Sequence, residues 1–282
     1  MADPYSAAEG LVRVYPAREP DGTGLVWAHG GAFAFGDLDM PEADRVARAI
    51  AARGTTVVSL DYRLAPVSAA LATPDRPERP GFVYPAASDD LLAAWSWTLD
   101  NAARLRIDPA RLAVGGASAG ANIVTGGVLR MLSSGAATLP ALVVLAYPTL
   151  LAVQPVPDAV LRAALDADPE ADVFGPAFVR AMYENYVGGP IAGAPLPAVP
   201  GTASPADVAG FPPTLMINSE ADELRVSGEA FAATLAAAGR DIELVVEPGT
   251  RHGHLNDPGG AAASVSLDRI AARLAALAVH PS

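Results

Sequence analysis

The chain has 282 residues, a formal charge of −12 and 51% hydrophobic residues. That is enough apolar material for a large core, and the charge argues against the Lys- and Arg-rich surfaces that nucleic acids and anionic membranes require. All 19 basic residues are Arg and Cys is absent, which excludes Schiff-base and P-loop lysines, disulfides, Cys-ligated zinc and thiol nucleophiles.

The opening "MADPYSAAEGLVRVYP" lacks a basic stretch followed by an apolar one, so no signal peptide and a cytoplasmic location are expected. Short β-branched and Leu-rich runs then alternate with Ala-rich helical patterns. Strands are expected at 11–15, 24–29, 55–62, 111–116, 141–147, 213–219 and 242–248. Several are apolar at consecutive positions, as in strands covered on both faces. The helix at 41–54 enters on Pro41 and leaves on Gly54. A second runs from Ser88, read as its N-cap, with Asp89 and Asp90 in the first turn. A third, at 227–239, is headed by Ser227, and a last apolar-periodic helix covers 264–279. Two stretches interrupt the rhythm. Residues 66–85 hold five prolines and read as a surface loop. Residues 149–212 carry one helical pattern, "GPAFVRAMYENYVGG", and their length fits a lid or cap inserted in the domain. "LPALVVLAYPTLLAV" is too short to span a bilayer. The order predicts one α/β domain over 1–282, with a mostly parallel central sheet, helices on both faces and a small cap.

"GGASAG" places Ser118 between glycines, after a strand and before a helix. A G-x-S-x-G match arises by chance about 0.1 times in a chain of this composition, so the strand–turn–helix context matters. Such a turn lifts the hydroxyl from the sheet edge beside helix N-terminal N–H groups, and side chains at 116 and 120 would strike backbone. Of the four histidines, His280 reads as a solvated tail. His29 follows an early strand, and its ring is expected to brace that loop. His252 and His254 follow the last strand, where a serine hydrolase needs its base. Gly30 and Gly31 leave N–H groups unobstructed for an oxyanion, with Ala119 as a third donor. Glu220, Asp222 and Glu223 follow the 213–219 strand; one of them accepting from the histidine would fix its tautomer, and the sequence pattern alone does not choose among them.

"HGGAFAFGD", "DYRLAP", "GASAG", "EADELR" and "HGHL" occur in this order from residue 29 to residue 255. Together they resemble the hormone-sensitive-lipase-like branch of α/β-hydrolase-fold esterases. The resemblance implies a triad of Ser118, Asp222 and His252, with Gly30, Gly31 and Ala119 as oxyanion donors. It departs from the family at Ala117 and Ala121, at His254 where the family has Phe, and in a shorter stretch ahead of "WAHGG". The expected activity is hydrolysis of short- to medium-chain carboxylic esters, with Phe33, Tyr84, Phe178 and Met182 lining the substrate pocket. No cofactor and no metal are expected. The partners are a small-molecule ester, no nucleic acid and no inserted membrane, with a homodimer left open. The rival readings are amide, carbamate, lactone or peptide hydrolysis by the same triad, a non-catalytic binding relative, and a metal site at His252, His254 and Asp257.

Overall fold

The computed structural model describes residues 3–257 and 259–279; His280 lies outside them. Eight strands form one sheet: β1 (Tyr5–Ala7), β2 (Val12–Tyr15), β3 (Gly24–Ala28), β4 (Thr56–Leu60), β5 (Leu112–Ala117), β6 (Val143–Ala146), β7 (Thr214–Ala221) and β8 (Ile242–Arg251). Their order is β1-β2-β4-β3-β5-β6-β7-β8. The β1–β2 and β2–β4 pairs are antiparallel, whereas β3 through β8 run parallel to one another. Parallel neighbours all end at the same edge, so the loops after β3, β5, β6, β7 and β8 meet there. In open parallel sheets that is the edge where ligands bind.

The helices are α1 (Pro41–Ala51), α2 (Ala86–Asp100), α3 (Ala102–Leu105), α4 (Ala119–Ser133), α5 (Ala159–Ala167), α6 (Pro176–Val187), α7 (Arg225–Ala237) and α8 (Ala261–Val279). The consecutive apolar residues of the strands have a direct explanation, since alternate side chains point to opposite faces and both faces are covered. Along β3, Leu25 and Trp27 pack with Val46 and Ile50 of α1 and Ile270 and Leu274 of α8. Val26 and Ala28 pack on the other face with Leu91 of α2, Val124 and Val128 of α4 and Phe231 of α7. No helix among the described residues is long and apolar enough to cross a membrane.

Three local expectations need correction. Helix α2 begins at Ala86, so Ser88 lies inside it, and its hydroxyl accepts from Arg130 (2.8 Å). Helix α7 begins at Arg225, so Ser227 is also interior; its hydroxyl accepts from Leu150 N–H (3.1 Å) and donates to Leu224 O (2.8 Å). Both hydroxyls serve contacts with distant chain segments or the helix's own first turn, which local capping rules do not anticipate. Residues 149–212 hold two α-helices, since α5 accompanies α6. Asp158 caps α5 by accepting from Leu161 N–H (2.8 Å).

Candidate active site

Ser118 sits between β5 and α4 with φ 52° and ψ −117°. The turn is tight because α4 packs against β3: a Cβ on Gly120 would lie 2.3 Å from the carbonyl oxygens of both Ala28 and His29, and one on Gly116 would lie 2.7 Å from the Gly120 carbonyl carbon. Ala32 (φ 51°), Phe33 (64°) and Tyr147 (34°), all near the same sheet edge, also take positive φ. Non-glycine residues held there cost about 1–3 kcal/mol each, and four of the seven such residues described, these three and Ser118, belong to the loops at this edge.

The acid and the histidine are brought together by an irregularity in the sheet. Ser219 of β7 pairs with Glu247 of β8, but two residues later Ala221 pairs with Arg251. The surplus on β8 loops out through Gly249 (φ 67°). Glu220 holds that bulge by accepting from Gly249 N–H (2.7 Å), while its own N–H donates to Thr250 Oγ1 (3.2 Å). The residues that follow, Asp222 and His252, therefore leave the sheet side by side.

His252 Nδ1 lies 2.7 Å from Asp222 Oδ2, and Nε2 lies 2.9 Å from Ser118 Oγ. Asp222 as a carboxylate only accepts, so the hydrogen is on Nδ1 and Nε2 is left to accept from the serine. The second Asp222 oxygen accepts from Leu224 N–H (2.9 Å), and the side chain is fully buried. The two other acids of the loop have different tasks: Glu220 holds the bulge, and Glu223 accepts from Phe174 N–H.

His254 is turned away from the serine. Its Nδ1 is 2.9 Å from Ser219 Oγ and its Nε2 2.9 Å from Ser266 Oγ. Burial, reinforced by neighbouring His252, pushes its pKa down to about 4. It is thus a neutral structural imidazole. The nitrogens of both histidines are engaged within the protein, which leaves neither one available to the conjectured metal site. His29 is wholly buried, stacks on Tyr62 at 4.5 Å and has Nδ1 2.7 Å from Gly30 O; burial holds its pKa down. Its ring braces the loop.

The oxyanion expectation changes at one position. Gly30 N–H does not point into the cavity as an open donor; it donates to the buried Glu42 carboxylate. Gly31 (φ 118°) follows in a conformation where a Cβ would lie 2.1 Å from Phe35 O. The N–H groups of Gly31, Ala32 and Ala119 have no partner among the described residues.

A cavity of about 440 Å³ opens beside Ser118 and His252, walled chiefly by Phe35, Met40, Phe174, Phe178, Met182 and Leu224. Phe178 and Met182 are therefore where expected. Phe33 and Tyr84 are not. Phe33 is 1% exposed and stacks on Tyr186 at 4.0 Å, and Tyr84 meets Tyr186 edge-on at 5.9 Å. The positive φ at Phe33 turns its ring back under α6, so both rings fasten α6 to the domain without facing the cavity. A larger hollow of about 750 Å³ lies on the far side of the histidine loop, between β8 and α8, and excludes Ser118. Sequence reasoning missed Glu42, Tyr147 and Asn256. Nothing in local periodicity marks them, although Glu42 in the first turn of α1 and Tyr147 at a strand end stand where a sheet-edge site draws its residues.

This fold and this edge define a serine hydrolase of the α/β-hydrolase fold. A family model described as alpha/beta hydrolase fold matches residues 25–256, and the chain belongs to that family, in its hormone-sensitive-lipase-like branch. It is similar to carboxylesterase NlhH of Mycobacterium tuberculosis, 36% identical over 250 residues that cover 87% of this chain and 71% of the relative. It is also similar to an ethyl acetate hydrolase of Pseudomonas putida, 30% identical over 255 residues covering 86% and 70%. Among solved structures, the thermostable carboxylesterase EstE1 from a metagenomic library superposes with a TM-score of 0.77 at 28% identity, covering 99% of this chain and 88% of that one.

Proposed function

We propose that the protein is a carboxylesterase acting on short- to medium-chain esters through Ser118, His252 and Asp222. The observation that carries this reading is the unbroken file of hydrogen bonds from Asp222 through His252 to Ser118, at 2.7 and 2.9 Å. In the mechanism, Ser118 Oγ attacks the ester carbonyl carbon as its proton passes to His252 Nε2. Asp222 stabilises the imidazolium and holds the ring in place. The tetrahedral oxygen accepts from the N–H groups of Gly31 and Ala119, the latter at the positive end of α4. The imidazolium then gives its proton to the leaving alcohol, which leaves an acyl-serine. Water attacks the acyl carbon, with His252 again taking the proton, and the imidazolium returns it to Ser118 Oγ as the acyl–oxygen bond breaks and the acid is released. All these steps use the chain's own groups and water.

The 149–212 insertion acts as a cap, and its Phe174, Phe178 and Met182 form one wall of the acyl pocket. A cavity of about 440 Å³ suits a short or medium chain. Esterase relatives such as those above support the ester bond over amide, carbamate, lactone or peptide. The test is a series of p-nitrophenyl esters from acetate to palmitate, run beside the matching anilides. The expected result is hydrolysis of the esters with an optimum at short to medium chains; turnover of the anilides in preference to the esters would replace this reading by an amidase.

A further inference from the structure

Glu42 is 2% exposed, a carboxylate taken almost wholly out of water. An ion so placed is costly unless donors surround it. Three donors do, each from the segment following a different strand. Gly30, after β3, donates its backbone N–H to Oε1. Tyr147, after β6, donates its hydroxyl to Oε2 at 2.7 Å, and Asn256, beyond β8, donates Nδ2 to the same oxygen at 2.9 Å. Asn256 Oδ1 also accepts from Glu42 N–H at 3.1 Å, and Trp27 Nε1 donates to the Glu42 carbonyl at 2.8 Å. The Tyr147 ring meets both His252 and His254 edge-on at 5.1 Å.

We infer that Glu42 is a positioning residue for the reaction, a buried anionic clamp that fixes the oxyanion loop relative to the loop carrying the histidine. The inference rests on the esterase reading above. Glu42 is assigned no proton-transfer step: Oε1 accepts from Gly30 N–H and Oε2 from Tyr147 and Asn256, all groups of the protein itself. Its reach to the chemistry is short: Gly30 N–H is anchored one peptide ahead of the Gly31 N–H that meets the oxyanion, while Asn256 lies four residues beyond His252. The position also demands a carboxylate. Glutamine offers a single acceptor oxygen to three donors, so at least one donor is orphaned or Gly30 is forced to face an NH₂ group.

The test compares Glu42→Gln and Tyr147→Phe with the unmodified enzyme on a short-chain p-nitrophenyl ester. It measures kcat and KM separately, together with inhibition by a trifluoromethyl ketone, which binds as a tetrahedral oxyanion adduct. Tyr147→Phe keeps the ring against the two histidines and removes only the hydroxyl, so it decides the matter if Glu42→Gln does not fold. The expected result is a kcat loss of about 10²-fold for Glu42→Gln and about 10-fold for Tyr147→Phe, with KM within about threefold and ketone affinity falling in proportion to kcat/KM. Wild-type kcat and ketone affinity in the folded variants would overturn the inference, as would a loss carried by KM alone. Failure of the esterase reading is separate: it would show as an unmodified enzyme that neither hydrolyses the ester nor binds the ketone.

Discussion

The carboxyl edge of the sheet and the segments that wall the cavity are built on different terms. At the edge, Ser118, Asp222 and His252 each directly follow a strand, and strain at Ser118 and Tyr147 is held by packed backbone on either side. Part of the cavity wall, Phe174, Phe178 and Met182 with Arg76 beside them, comes from residues 149–212 and the Pro-rich 66–85 stretch, which contribute no strand to the sheet. Phe178 is 37% exposed and Val156 and Val160 lie further out in solvent, whereas Asp222 is wholly enclosed. On the proposed esterase reading, the difference teaches that the reacting atoms would be fixed by the register of strands, while substrate preference would be left to parts that can change without disturbing that register.

The sharpest way to break this comparison is at the edge. Ser118→Ala and His252→Ala should each lower kcat by about 10⁶-fold with the circular dichroism spectrum unchanged; residual turnover near wild type would move the chemistry elsewhere. His254→Ala should leave most of kcat. Asp222→Asn should cost about 10⁴-fold by inverting the tautomer of His252, whereas Glu223→Gln, one residue on, should cost less than about 10-fold because that acid bonds the Phe174 N–H and the Asp172 side chain and has no hydrogen bond to His252 or Ser118.

Three smaller effects sharpen the contrast. Phe33→Ala should lower unfolding stability by about 3–5 kcal/mol by emptying the space against Tyr186, read as a shift in the urea midpoint, without the change in chain-length preference that a cavity residue would give. His254 supplies a pH dependence of stability. Its pKa in the fold, about 4, lies below the ordinary 6.5, so between these values the unfolded chain binds the proton first. The stability it contributes is complete above about pH 6.5 and is lost as pH falls toward about 4, with a ceiling of about 3 kcal/mol. His254→Gln should flatten the urea midpoint across that window. Phe178→Ala should shift the preferred acyl length by one or two carbons, worth about 1–3 kcal/mol in relative kcat/KM, with kcat on acetate esters little altered.

Much of the edge was legible in the sequence because it is written in local chemistry. Glycines at 116 and 120 announce a close approach, a histidine after the last strand announces a base, and consecutive apolar residues announce a sheet covered on both sides. Strands from 12 to 251 lie within a few residues of where pattern placed them. What stayed hidden depends on distant partners. Ser88 and Ser227 have the look of caps but answer to Arg130 and Leu150. Gly30 has the look of an open donor until Glu42, twelve residues on, turns out to occupy it. Phe33 and Tyr84 are aromatic and near the motif, yet whether a ring faces a cavity or a helix is decided by backbone torsions that composition does not record. Helix α5 was lost among alanines and prolines whose amphipathic stripe spans only Leu161 and Leu165 among its buried residues.

The most direct single measurement is mass spectrometry of the peptide containing residue 118 after treatment with a fluorophosphonate, performed on the unmodified protein and on His252→Ala. The account predicts one phosphonyl group on Ser118 in the unmodified protein, loss of ester hydrolysis in step with labelling, and almost no adduct once the imidazole is removed. An active enzyme whose Ser118 stays unmodified, or equal labelling with and without His252, would contradict it.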